Sequence, residues 1–253
     1  MLKKLSSNNL LSYLIILSFF IFSCETNDVV TLGCLDPSAN NYNPLASQDD
    51  SSCDYCTYGC TDPNSVNYNS LATCDDGSCT EEAMEIAGVI DFSLGTTAGK
   101  AIHLRVLADI SDLSIYGVGV ANNGGGTDGI EITFGSISVS AGDDILIARD
   151  DFLIGEYFST CINSFEHIFQ NDLVNQNGDD AVELFKGNDV IEIFGDIIVD
   201  GTGTIWEYTD SWAYKDATGS TTFGSGNWIF GGIHCTDGTA TIFESSCMYP
   251  ICQ

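Results

Sequence analysis

The sequence predicts an all-β chain, with a large antiparallel sandwich preceded by a small disulfide-stapled region. Three observations carry this. From residue 84 onward, short runs alternate apolar and polar residues with the period of two that a half-buried strand requires. Clusters of Gly, Asn and Asp separate those runs. No long stretch shows a helical period, and many short strands at regular spacing are the pattern of an antiparallel sandwich.

Strands are expected at 85–92, 100–107, 115–121, 129–134, 144–148, 181–185, 190–194 and 239–243. In the second run Ile102, Leu104 and Val106 share one face, while His103 and Arg105 share the other. Turns are expected at Asn122-Asn123-Gly124-Gly125-Gly126 and at Asn175-Gln176-Asn177-Gly178-Asp179-Asp180, where Gly and Asn accept left-handed backbone.

Ahead of this domain, residues 24–82 contain no Lys or Arg and hold an internal repeat with a period of 26. Gly33-Cys34-Leu35-Asp36-Pro37 runs through Asn41-Tyr42-Asn43-Pro44-Leu45-Ala46 to Asp49-Asp50-Ser51-Ser52-Cys53; Gly59-Cys60-Thr61-Asp62-Pro63 runs through Asn67-Tyr68-Asn69-Ser70-Leu71-Ala72 to Asp75-Asp76-Gly77-Ser78-Cys79. Each unit is too short to bury a core, so the simplest staple joins its own bounding cysteines, Cys34 to Cys53 and Cys60 to Cys79. Cys56 and Cys74 fall outside the pattern, and pairing them would tie the linker to the second unit.

Asp36, Asn41, Asn43, Asp49 and Asp50, with Asp62, Asn67, Asn69, Asp75 and Asp76 in the second copy, are oxygen donors of the kind calcium takes. Calcium is therefore the one cofactor the repeats bring into question. The competing reading is that Asp and Asn are there to make turns, and it is favoured because the spacing lacks the bidentate Glu of an EF-hand loop.

The first 23 residues read as an export signal, with Lys3 and Lys4 at the start and an apolar run from Leu10 to Phe22. That run is 13 residues, short of the roughly 20 a membrane-spanning helix needs. Ile21-Phe22-Ser23-Cys24 resembles a bacterial lipoprotein box, which implies cleavage before Cys24 and acylation, palmitate included, of that cysteine. Cysteine parity points the same way, because removing Cys24 from 11 cysteines leaves an even ten and an oxidising compartment for them. The implied location is the outer membrane or cell surface, with the lipid as the membrane contact.

Removing the signal leaves five basic residues against 36 acidic ones, a formal charge of −31. Such a field repels phosphate backbones, so nucleic acid is not an expected partner. With 44% hydrophobic residues and only 4 Pro, the chain is nevertheless expected to pack rather than remain disordered.

Two resemblances extend these readings. The repeats are similar to the GCxDP…NYNxxA…DDxSC units of secreted and surface proteins of marine Bacteroidetes. Val139 to Arg149, Asn175 to Phe185, Phe194-Gly195-Asp196, Asp200 to Thr204, Trp206 to Lys215 and Asn227-Trp228 resemble the bacterial secreted form of the lamin-tail domain. That family implies an immunoglobulin-like antiparallel β-sandwich used as a binding or attachment module. Where its members tend to carry an acid on an early strand, this chain has His103. The domain order is then 1–23 signal, 24–32 tether, 33–55 and 56–81 repeats, and 84–252 sandwich.

No catalytic residue is assigned. His103, His167 and His234 are isolated in sequence, with no metal-ligand spacing such as H-E-x-x-H, and no nucleophile elbow or phosphate loop is present. Asp179, Asp180 and Glu183 form a carboxylate group on paper, yet Asn-Gly-Asp-Asp at the mouth of a strand is first a turn. Trp206, Trp212 and Trp228 are candidates for ligand contact by stacking, with closure of the core as the commoner use. Of the last four cysteines, Cys247 with Cys252 would pin the tail, leaving Cys161 with Cys235 across the sandwich. The expected function is a non-catalytic surface lipoprotein that binds an extracellular protein or glycan. The alternative is an accessory subunit of an extracellular hydrolase or nuclease system.

Overall fold

The computed structural model describes residues 30–253 except 63, 64, 66, 81, 96 and 225. Cys24 and the export-signal residues lie outside the described residues. The chain divides into two compact units, residues 1–56 and 57–253. No helix among the described residues is long and apolar enough to cross a membrane.

The two repeats have the same internal wiring. In the first, Gly33 N donates to Gln48 O at 3.2 Å, Asn43 N to Cys34 O at 3.0 Å and Ser47 N to Thr31 O at 2.8 Å. In the second, Gly59 N donates to Cys74 O at 3.2 Å, Asn69 N to Cys60 O at 2.9 Å and Thr73 N to Thr57 O at 2.8 Å. A disulfide takes the place of a core in each, joining Cys34 to Cys53 and Cys60 to Cys79 with Cα atoms 4.8 and 4.7 Å apart. Cys34 and Cys60 are each 1% exposed, while Leu45 and Leu71 at equivalent positions stay 81% and 77% exposed. Cys56 and Cys74 are also disulfide-bonded.

The following domain is β-rich, with two sheets. Its strands are β1 Met84–Asp91, β2 Lys100–Val106, β3 Tyr116–Ala121, β4 Ile132–Thr133, β5 Asp144–Ala148, β6 His167–Gln170, β7 Ala181–Lys186, β8 Asp189–Phe194, β9 Ser211–Lys215, β10 Thr221–Phe223 and β11 Gly226–Phe230, with one α-helix, α1, over Asp151–Phe158. The larger sheet has the order β10-β11-β9-β1-β2-β5-β6 and the smaller β4-β3-β7-β8.

The inner faces of both sheets meet in one core. Ile86, Val89, Ile102, Leu104, Ile145, Ile147, Ala213 and Trp228 come from the larger sheet; Val118, Val120, Ile132, Val182, Leu184 and Phe194 come from the smaller. Each such large side chain contributes about 1.5–3 kcal/mol on burial, so this alternation decides which face turns inward. The outer face of the larger sheet is covered too. Ile90, Ala101, Leu146, Ala148, Trp212 and Tyr214 pack there against Ile154, Tyr157 and Phe158 of α1 and against Ile242, Cys247 and Tyr249 of the C-terminal segment.

The structure corrects the expected purely antiparallel arrangement at one place, because β5 and β6 pair in parallel. Parallel neighbours need a crossover connection, and α1 with the 3-10 turn Ser159–Ser164 supplies it. The helix starts where the Asp150 side chain accepts a hydrogen bond from Leu153 N at 2.9 Å, a regular N-cap. The stretch expected as a strand at 239–243 is turn instead; its apolar residue Ile242 is fully buried, and Ile242 N donates to Tyr157 O at 2.9 Å. The stretch 129–134 keeps only Ile132–Thr133 as strand, while β6, β9, β10 and β11 have no counterpart among the expected strands.

The last four cysteines are also corrected. The bridges are Cys161–Cys252 and Cys235–Cys247, with Cα separations of 5.2 and 5.9 Å, rather than Cys247–Cys252 and Cys161–Cys235. Tyr249 explains the exchange. Its ring is fully buried against Phe158, Trp212 and Tyr214, and docking it there carries the end of the tail to the turn that bears Cys161.

Candidate functional site

The polar groups of the β-rich domain gather at two places, one beneath the C-terminal tail and one at the loop end where the Asn175–Asp180 turn lies.

Beneath the tail, β2 turns His103 and Arg105 toward the outer face of the larger sheet. His103 is fully buried; its Nε2 lies 2.7 Å from Asp144 Oδ1 and its Nδ1 3.0 Å from Tyr249 Oη. Burial disfavours the imidazolium and lowers the His103 pKa below its ordinary value. Nε2–H therefore donates to Asp144, and Nδ1 accepts from the Tyr249 hydroxyl. Burial works against the Asp144 carboxylate, but the hydrogen bonds and charges of His103 and Arg105 outweigh it and hold that carboxyl below the usual range. Arg105 also reaches Glu85 at 3.3 Å and donates to Tyr214 Oη. Beside it lies an open cleft of about 360 Å³ lined by Glu85, Arg105, Tyr214, Lys215 and Asn227 among others.

Gly88 makes room for this arrangement. A Cβ there would meet Tyr249 Oη at 2.0 Å, so only glycine lets the tail's hydroxyl pass over β1 to reach β2.

At the loop end, the Asn175–Asp180 turn closes the domain. Gln176, fully buried, donates through Nε2 to Ile90 O at 3.3 Å and Ala101 O at 2.9 Å, and its backbone carbonyl accepts from Lys100 Nζ at 2.6 Å. Lys100 pairs with Asp91 at 3.3 Å; burial raises the Asp91 pKa and that ion pair opposes the shift. Asp180 accepts from Asn123 N at 2.6 Å and Asn177 N at 3.1 Å, although burial is the larger effect and raises its pKa. Thr202 Oγ1 donates to Asp179 Oδ2 at 2.9 Å. These carboxylates are committed to holding loops, a use that buried acids with two backbone donors serve well. Glu183 stands apart on β7, 1% exposed, with its Oε2 meeting no hydrogen-bond partner among the described residues.

The same end carries Asp210 and His234, both at positive φ, of 47° and 61°. Asp210 Oδ2 is 2.9 Å from His234 Nδ1, and Asp237 Oδ2 is 3.5 Å from the same nitrogen. Of the three isolated histidines, His234 thus gains two acidic neighbours, and His167 meets Asp143 at 3.3 Å. No sequence motif marks the His234 group, because Asp210 and His234 are brought together by folding.

The structure puts the tryptophans in the cores. Trp206, Trp212 and Trp228 are 6%, 3% and 1% exposed, which leaves almost no ring face for a ligand and agrees with core closure as their commoner use. Trp212 Nε1 donates to Cys247 O at 2.8 Å, and Trp228 lies 4.8 Å from Phe194 in an edge contact.

In the repeats, the proposed calcium oxygens are hydrogen-bonded to backbone. Asp36 Oδ1 accepts from Ser38 N at 2.9 Å, Asn43 Oδ1 from Leu45 N at 3.0 Å, Asp49 Oδ1 from Ser51 N at 3.1 Å and Asp50 Oδ1 from Ser52 N at 3.0 Å. Asn69, Asp75 and Asp76 repeat this pattern with Leu71, Gly77 and Ser78. Backbone and side-chain donors hold Asp36, Asp50 and Asp76 below the ordinary carboxyl range. Asn41 and Asn67 act as clamps: Nδ2 donates to Ser52 O or Ser78 O at 2.7 Å, and Oδ1 accepts from Asp54 N at 2.9 Å or Thr80 N at 3.0 Å. Asp62 lies beside undescribed neighbours and also makes an interaction of its own. Among the described residues, the repeat carboxylates form no group of three with converging oxygens.

Comparison with protein-family models, curated proteins and solved structures finds no match.

Proposed function

We propose that this chain is an exported, non-catalytic lipoprotein of the outer membrane or cell surface, acylated at Cys24, with the two repeats as a stiffened spacer and the β-rich domain as an immunoglobulin-like binding module of lamin-tail type. The observation that carries the reading is the cysteine pairing. All ten cysteines from Cys34 to Cys252 are disulfide-bonded, which leaves Cys24 as the eleventh. An odd cysteine directly after an export signal is the residue a lipoprotein box modifies, and one acyl chain alone would hold only marginally.

The binding role draws support from how the acids are used. Asp179 and Asp180 secure loops, and the open cleft beside Arg105 and Tyr214 offers mixed polar and aromatic walls to an extracellular protein or glycan. A strongly acidic surface disfavours nucleic acid there.

The test is metabolic labelling with palmitate in a bacterial host. Label is expected in the wild-type chain and absent from Cys24→Ser. An unlabelled wild-type chain that is nonetheless exported overturns the lipid assignment, and hydrolysis of DNA, glycan or peptide by the purified protein overturns the non-catalytic one.

A further inference from the structure

Among the described residues, Asp210, His234 and Asp237 form the one group of metal-ligating side chains whose donor atoms all lie within 4.8 Å of one another. We propose that they form a binding site for a divalent transition-metal ion of zinc's class, with coordination positions left open to water or to a donor from a bound partner. The site is separate from the calcium question in the repeats and does not depend on the lipid.

The donor set fits that class. One imidazole nitrogen with two carboxylate oxygens suits a borderline cation, and three protein ligands with an open position are the usual composition of a non-structural zinc site. The His234 and Asp237 side chains are 57% and 51% exposed, so a bound ion would remain reachable.

Among the described residues the ligand carboxylates interact within the group rather than with backbone N–H groups, which separates them from the acids of the repeats. Asp49, Asp50, Asp75 and Asp76 each accept a backbone N–H two residues on. The Asp237 carboxylate accepts no backbone hydrogen bond among the described residues, and Asp210 Oδ2 faces His234 Nδ1.

Among the described residues no Lys or Arg forms an ion pair with Asp210 or Asp237. Lys100 is taken by Asp91, Arg105 by Glu85 and Asp144, Lys186 by Glu82, Lys215 by Glu85 and Glu192, and Arg149 by Val174 O. Carboxylate oxygens of Asp210 and Asp237 lie 2.9 and 3.5 Å from His234 Nδ1, so a divalent ion seated among them would meet a donor from each of the three side chains.

The scaffold holds the ligands in place without the ion. His234 N donates to Thr209 O at 2.9 Å, Thr236 Oγ1 to Asp210 O at 2.8 Å and Asp210 N to Asp91 Oδ2 at 3.4 Å. Thr236 is fully buried and the Cys235–Cys247 bridge adjoins His234. Little ordering is left to oppose binding.

The experiment is calorimetric titration of zinc into the full disulfide-bonded chain, with millimolar magnesium present to occupy diffuse acidic sites. Wild type is expected to take up one saturable equivalent. His234→Asn keeps a residue that tolerates left-handed backbone, and Asp237→Asn keeps shape; both are expected to weaken that equivalent by at least about tenfold with the metal-free melting temperature unchanged. Asp50→Asn in the first repeat is expected to leave it intact. Cobalt(II) absorption provides a second readout, with a d–d band in wild type that His234→Asn loses. No saturable equivalent in wild type, or an equal one in His234→Asn, overturns the site.

Discussion

Tyr249 Oη lies 3.0 Å from His103 Nδ1, so the last turn of the chain hydrogen-bonds to the second strand of the domain across 146 residues of sequence. Both side chains are fully buried, and the contact ties the C-terminal tail into the sheet that carries most of the domain.

Tyr249→Phe is expected to destabilise the domain by about 1–3 kcal/mol, because it removes one partner and leaves the buried His103 Nδ1 without a donor. Gly88→Ala should do at least as much harm, since its methyl would meet the same hydroxyl at 2.0 Å. Urea unfolding with the disulfides intact measures both. A Tyr249→Phe variant as stable as wild type would show that the hydrogen bond contributes nothing.

Acidification should weaken the fold through His103. Its folded pKa is lowered by burial, so below the ordinary value of 6.5 the unfolded chain binds a proton that the native state refuses. Stability attributable to this group is complete above that value and falls as the pH drops below it. Melting temperatures between pH 8 and pH 5 are expected to decline in wild type and to decline less in His103→Gln.

Non-reducing digestion and mass spectrometry should recover peptides joined through Cys161–Cys252 and Cys235–Cys247. The first closes a span of 91 residues, for which chain entropy estimates about 4.6 kcal/mol. Replacing Cys161 and Cys252 together by Ser should therefore cost several times what surface substitutions do and should free the tail to proteases. Recovery of a Cys247–Cys252 peptide would contradict the docking of Tyr249.

The repeats should keep their structure without calcium. Their side-chain oxygens already accept backbone hydrogen bonds, so millimolar calcium is expected to leave the melting temperature unmoved. Asn41→Ala and Asn67→Ala should each loosen one unit, because one amide makes both contacts between the middle of the repeat and its end. Amide hydrogen exchange at Asp54 and Thr80 reports the loss.

What could be read directly was whatever depends on neighbours in sequence. The alternation in β2 located Ile102, Leu104 and Val106 on the inner face, and β5 begins and ends at the residues expected of it. The short β10 and β11 were not legible, because they carry little alternation and exist through pairing, β11 with β9 and β10 with β11. The stretch 239–243 misled for the opposite reason: Ile242 is apolar because it packs beneath α1, a contact that needs no strand.

By itself the sequence determined the two-copy repeat, its internal bridges and the alternating strands, since turns, short loops and side-chain direction follow from local backbone geometry. Tertiary structure alone decided the pairing of the last four cysteines, the burial of His103 and of the three tryptophans, and the meeting of Asp210 with His234 and Asp237. Those depend on where the tail, the loops and the later strands come to rest, and that is set by packing in the two cores, between the sheets and beneath α1, rather than by spacing along the chain.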